Sequence, residues 1–150
     1  MSLNRSELRS WLMLMTGVQS LLDALDRQLR DDAGISHDDY RILGSLYRSP
    51  NRVKRMRDLA REMSYSPSRL THAATRLESH GWVSRSKSNS DGRGVEVHLT
   101  DLGVAKAREA SEGHLELVRQ LVFDTQDPDQ LDAAVVALAR IGEAAETSRA

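Results

Sequence analysis

Apolar residues recur along the first part of the chain at helical spacing. Leu8, Leu12, Met15, Leu22, Leu25 and Leu29 fall three, four or seven apart, which predicts a long amphipathic helix over residues 5 to 30. Gly34 follows its acidic end as a stop signal. Ser36, with Asp39 three positions on, resembles a capping box and opens a second helix through Tyr40, Leu43 and Leu46 to about Arg48. Ser49-Pro50-Asn51 breaks that helix. A short third helix from about Met56 to Met63 buries Met56, Leu59, Ala60 and Met63. The next three residues, Ser64-Tyr65-Ser66, leave room only for a tight turn. Ser66 is a favoured N-cap, and Pro67 suits the first helical position, where its missing N–H costs nothing. The fourth helix therefore runs from Pro67 to about His80, with Leu70, Ala73, Ala74 and Leu77 on its buried face and Gly81 closing it.

After Gly81 the period changes from helix to strand. Trp82 to Arg85 begins a strand, and the stretch "KSNSDGRGVEVHLT", residues 87 to 100, turns the chain and returns it. Ser88, Asn89, Ser90, Gly92 and Gly94 are turn formers, while Val95, Val97 and Leu99 alternate with Glu96 and His98. Thr100 or Asp101 caps a fifth helix that carries Val104, Ala105, Leu115, Val118, Leu121 and Val122. Asp127-Pro128 caps a sixth, with Leu131, Val135, Leu138 and Ile141 along one face. The expected architecture is mainly α, with five or six helices and one small β-hairpin.

Composition narrows the class of protein. The 150 residues fit one domain, or one domain with a dimerisation extension. With no cysteine, disulfides, thiolate metal sites and cysteine redox sensing are excluded. No apolar run approaches the length of a membrane span, and Trp11 to Val18 is too short for a signal peptide, so no membrane partner is expected and the cytoplasm is the default address. The net charge of −1 hides a split. Residues 50 to 100 hold ten Lys or Arg against five Asp or Glu, whereas residues 101 to 150 hold five against ten. A basic middle between neutral and acidic ends points to a polyanion as the partner of the middle.

A short helix, a three-residue turn and a helix of about four turns form a helix-turn-helix unit, whose second helix can read a DNA major groove. The outward positions of that helix are Ser68, Arg69, Thr71, His72, Thr75 and Arg76, and no acid appears before Glu78. A solvated helix would usually place Asp or Glu in its first turn, where the dipole favours them. Ser66 and Pro67 also leave N–H groups at the helix start that can hold a phosphate. A hairpin directly after such a helix forms a wing whose tip can reach a minor groove. Arg85, Lys87 and Arg93 suit that contact, and Asp91 is placed to hold Arg93.

The stretch "DLAREMSYSPSRLTHAATRLESHGWVSR" followed by "SDGRGVEVHLTDLG" resembles the winged helix of the MarR family of bacterial transcription regulators. The likeness rests on Leu59-Ala60, Thr71, Leu77-Glu78, Gly81, Asp91-x-Arg93, and Leu99-Thr100 followed by Gly103. It implies a single domain over residues 1–150, with a winged helix-turn-helix core over 36–100 and dimerisation helices over 1–35 and 101–150. It also implies a homodimer that binds double-stranded DNA, represses transcription from a palindromic operator and is relieved by a small aromatic effector. Members often carry Arg directly after the Thr71 position; here it is His72, a departure from the family's pattern within the reading helix.

Other chemistries find less support. Ser, His and Asp are present, but no nucleophile elbow, phosphate loop or Gly-rich fingerprint is, so no enzyme and no cofactor is expected. His37-Asp38-Asp39 is the densest group of metal-ligand types, yet adjacent residues on a helix start point apart, and helix capping explains the carboxylates. A metal-responsive regulator and a non-catalytic winged-helix scaffold stand as the alternatives; the scaffold would bind DNA weakly or without salt dependence. Trp11, Met15, His37, Tyr40 and Tyr47 are expected to line an effector cavity between the first two helices and the fifth, with Arg41 pairing an effector carboxylate.

Overall fold

A computed structural model describes residues 2–88 and 94–148. It is mainly helical with a small antiparallel sheet, as the sequence pattern predicts. Helix α1 spans Arg5–Ala33, opened by a capping box between Asn4 and Glu7 and closed by Gly34 at φ +66°. Helix α2 (His37–Arg48) is followed by a single 3₁₀ turn at Pro50–Arg52, strand β1 (Val53–Arg55) and helix α3 (Met56–Met63). Helix α4 (Pro67–Ser79), strands β2 (Val83–Lys87) and β3 (Val95–Leu99), helix α5 (Asp101–Val118) and helix α6 (Pro128–Thr147) complete the order.

The sheet holds one strand more than the hairpin expected. Its order is β1-β3-β2, with Val53 opposite His98 and Val83 opposite Leu99. Three residues are too few for a period-2 pattern to show. The strand is anchored from its side chain instead: Lys54 pairs with Glu62 of α3 and donates to Ser45 Oγ of α2 at 2.8 Å.

The chain divides into two compact units, Met1–His114 and Leu115–Ala150. The first holds the core. Leu29, Ile35, Ile42, Leu43, Leu46, Leu59, Leu70, Leu77, Val83 and Val97 are fully buried there, drawn from α1 through β3. The start of α5 joins this core at close range. A Cβ on Gly103 would lie 2.1 Å from the Trp82 carbonyl oxygen, so only glycine admits the approach. Thr100 Oγ1 caps the helix by accepting from Gly103 N at 3.0 Å, and donates to the Gly81 carbonyl at 2.6 Å. From Gly103 the buried stripe of α5 continues through Val104, Ala107, Ala110 and His114. Of the apolar residues the pattern placed on this helix, Val104 is buried, whereas Ala105 and Leu115 are exposed.

In the second unit the helical run ends in a π turn at Arg119–Phe123, and Asp127 caps α6 by accepting from Asp129 N and Gln130 N. No residue of α6 is buried, and Val135, Leu138 and Ile141 are about half exposed. In the first unit, Leu8, Trp11, Leu12, Met15 and Leu22 form a similarly exposed apolar stripe on α1. Among the described residues no helix is long and apolar enough to cross a membrane.

Candidate nucleic-acid interface

The turn between α3 and α4 is built by its backbone. Ser64 adopts φ +56° and its N–H reaches the Ala60 and Arg61 carbonyls, while Tyr65 N donates to Ala60 O at 2.8 Å. Ser66 then caps α4, its Oγ accepting from Arg69 N at 3.2 Å, with Pro67 in the first turn. Leu70, Ala73, Ala74 and Leu77 are buried, which turns the opposite face of α4 to solvent. That face presents Ser68, Thr71, His72 and Thr75, all exposed, with no carboxylate among them. Ser68 Oγ lies 3.2 Å from Ser66 Oγ. Thr71 Oγ1 donates to Pro67 O at 2.9 Å, so its hydroxyl can only accept from a further partner.

The cations of this surface are held by carboxylates from neighbouring elements. Asp39 opens α2 in sequence like half of a capping box, and Ser36 Oγ does accept from its N–H at 3.1 Å. Its carboxylate does not complete the box. It turns to α4 and accepts from Arg76 Nη2 at 2.6 Å and Nε at 3.2 Å. Asp38 takes Arg69 Nη2 at 2.7 Å, and the same guanidinium sits 3.8 Å over the Tyr65 ring. Burial works against the Asp38 carboxylate, but Tyr65 and Arg69 outweigh it and hold the group below its ordinary value. Burial and then the Asp38 carboxylate push the Tyr65 phenol up to about 12. At the root of the wing, Arg85 donates through Nε and Nη2 to Glu78 Oε2 at 3.0 and 2.6 Å, which holds Glu78 low.

Asp38, Asp39, Tyr65 and Glu78 are therefore structural partners of the expected contact residues. No local spacing marks these pairs, since Asp38 and Asp39 of α2 meet Arg69 and Arg76 of α4 only through tertiary packing. Lys87 is exposed at the end of β2. Asp91 and Arg93 lie outside the described residues.

Among the described residues, the six expected effector residues stand in different surroundings. Trp11 and Met15 are exposed on α1. Tyr40 turns to α5, its ring 4.4 Å from that of His114 and its hydroxyl 3.1 Å from Ser111 Oγ. Tyr47 is exposed and accepts from Arg108 at 3.4 Å. His37 and Arg41 do border a hollow of about 660 Å³ between α1, the start of α2 and the end of α4. Its wall includes Arg76 and a stacked ring pair, His80 and Trp82, with centroids 4.5 Å apart. Among the described residues, no three His, Asp or Glu side chains are grouped as a metal ion would require.

A helix-turn-helix whose second helix shows solvent a carboxylate-free polar face, followed by a sheet and hairpin, defines a winged helix of the DNA-binding type. The MarR family model matches residues 35–95, and the chain belongs to that family of transcriptional regulators. Sco3205, a MarR family transcriptional regulator from Streptomyces coelicolor whose structure is in complex with DNA, is 39% identical over 96% of this chain and 91% of its own, with a TM-score of 0.92. AbsC from the same organism is 31% identical over 98% of this chain and 99% of its own, with a TM-score of 0.93. The HTH-type transcriptional repressor MdtR of Bacillus subtilis is 26% identical over 141 residues, 89% of each chain. These relatives are transcriptional regulators, a non-enzymatic class.

Proposed function

We propose that the chain acts as a homodimeric repressor of a palindromic operator. Each protomer lays α4 in a major groove and its wing in the adjacent minor groove. The observation that carries this reading is the exposed face of α4, where Ser68, Thr71, His72 and Thr75 offer hydrogen-bonding groups and no carboxylate to repel phosphate. Ser66 and Ser68 at the helix start serve phosphate contacts, and Thr71, His72 and Thr75 serve base edges. Arg69 contacts DNA from its seat on Tyr65 and Asp38. Arg76 and Arg85 act near the duplex while tied to Asp39 and Glu78, and Lys87 and Arg93, with Asp91 holding the latter, act from the wing.

Dimerisation is assigned to residues 1–35 and 101–150 around the core of 36–100. Its support is the apolar surface left on each unit: the α1 stripe in the first, and Val135, Leu138 and Ile141 in the second. Relief by a small aromatic ligand is assigned to the hollow bordered by His37 and Arg41. A ligand there would touch the Asp39–Arg76 pair that fixes α4, which gives it a direct route to the reading helix.

The test is binding of the full chain to its operator, to a single half-site and to random duplex, with sedimentation in parallel. A dimer that prefers the two-site operator supports the proposal. A micromolar monomer, or equal affinity for all three duplexes, overturns it. The same titration with a panel of aromatic carboxylates tests relief; unchanged affinity with every compound removes that part.

A further inference from the structure

We propose that Arg57 and Arg61 on α3 form a second grip on the DNA backbone, separate from the reading helix and the wing. This rests on the DNA-binding reading above and adds residues that reading does not use. The two arginines are four positions apart, so they share one face of α3. They are 70% and 78% exposed. Their carboxylate neighbour is Asp58, at 3.7 Å from Arg57 and 3.8 Å from Arg61. Two guanidinium groups thus share one carboxylate, and the face keeps a net positive charge. The contrast with Arg69, Arg76 and Arg85 is clear, since each of those has a carboxylate oxygen within 2.7 Å.

Position makes this charge useful. A hollow of about 470 Å³ opens between α3, α4 and the wing root, lined by Arg57, Met56, Thr71, Arg85 and Val95 among others. A second, of about 460 Å³, lies between α3 and α4 and is lined by Arg57, Arg61, Tyr65, Pro67 and Thr71 among others. Met56, Arg57 and Thr71 belong to both. Arg57 therefore stands beside Thr71, at the edge of the face assigned to the major groove. A helix seated in that groove has a sugar–phosphate strand along each side. The lining sets the apolar Met56 and Val95 beside the Arg57 guanidinium, which matches what such a strand offers, apolar sugar beside anionic phosphate. Contacts of this kind fix register and add affinity without reading sequence.

The experiment uses the full chain with operator and random duplexes over a series of KCl concentrations, comparing wild type with Arg57→Ala, Arg61→Ala and the corresponding Lys variants. Each Ala variant is expected to lower affinity for both duplexes several-fold at moderate salt, leaving their ratio unchanged. The slope of log affinity against log salt should fall by about 0.9 for each lost phosphate contact, and the Lys variants should keep it. Because both side chains are exposed, the thermal transition should not move, which separates this effect from misfolding. Ala variants with wild-type slopes overturn the proposal while leaving the DNA-binding reading intact. A wild type that binds no duplex at low salt overturns both.

Discussion

The Asp39 carboxylate, whose side chain is only 9% exposed, accepts two hydrogen bonds from the Arg76 guanidinium, at 2.6 and 3.2 Å. One residue lies in the first turn of α2 and the other near the end of α4, so this pair fixes the rotation of the reading helix on the core. Removing Arg76 leaves a buried carboxylate without its partner. Arg76→Ala is expected to lower unfolding free energy by about 1.5–3 kcal/mol, and Asp39→Ala by less, since the half-exposed Arg76 guanidinium can turn to water. The double variant should be less destabilised than the two losses added, because neither charge is then stranded. Urea denaturation of the four proteins measures this; strict additivity would show that the two groups do not depend on each other.

A second prediction concerns the junction of the wing and α5. In Gly103→Ala the added methyl would meet the Trp82 carbonyl oxygen at 2.1 Å and Leu99 Cδ1 at 2.6 Å. Neither can move freely, since Leu99 is buried and the Trp82 carbonyl accepts from Thr100 N at 3.1 Å. Overpacking of this kind costs about 1–3 kcal/mol, despite the higher helix propensity of alanine. The melting temperature of the variant should fall by several degrees; an unchanged or raised value would contradict the contact.

The third prediction is a pH dependence of stability. His37 and His114 face each other at a ring distance of 5.7 Å, and burial pushes both below the ordinary histidine value of 6.5. Arg41 adds to the push on His37, and His37 to that on His114. The unfolded chain therefore binds protons that the folded chain refuses. Stability is full above about 6.5 and falls as pH drops through that value toward the lower folded values. Asp26, Asp38, Glu62 and Glu78 are held low as well, so their contributions fade in the same direction but only in the acid range below about 4.5. Denaturation between pH 7.5 and 5 should show the decline, and His114→Gln should flatten it. An equal slope in that variant would remove His114 from the account.

The residues explain how much of this was legible in advance. Helix ends were legible because caps act over three or four positions: Gly34, Ser36, Ser66-Pro67 and Gly81 each mark a boundary close to where the structure has it. Strand β1 was not, since Val53–Arg55 owes its form to pairing with β3 and carries no pattern of its own. Nor was the pairing of Asp38 and Asp39 with α4, which joins positions 31 and 37 residues apart through tertiary packing. The π turn at Arg119–Phe123 reflects a backbone register that side-chain composition does not encode. The buried stripe of α5 is not legible from its apolar residues alone, because close approach at Gly103 and Ala107 selects small side chains.

The last prediction separates reading from gripping in the proposed interface. His72 is exposed in the middle of the carboxylate-free face of α4, where a base-edge contact would depend on sequence. His72→Ala should cost on the order of 1–3 kcal/mol of binding on the operator and much less on random duplex, so the ratio of the two affinities falls. In the proposed interface Arg93 is assigned to the wing, where a cation would gain from the potential of the minor groove whatever the bases. Arg93→Ala should weaken both duplexes together and lower the salt slope by roughly one unit per lost phosphate contact. The two variants thus move different quantities, specificity in one and salt dependence in the other. Titrations of both proteins against both duplexes at several salt concentrations check this directly. If His72→Ala weakens random duplex as much as operator, His72 grips and does not read, and the reading passes to Ser68, Thr71 and Thr75. If Arg93→Ala binds like wild type, the wing has no part in the contact and the grip falls to the helices alone.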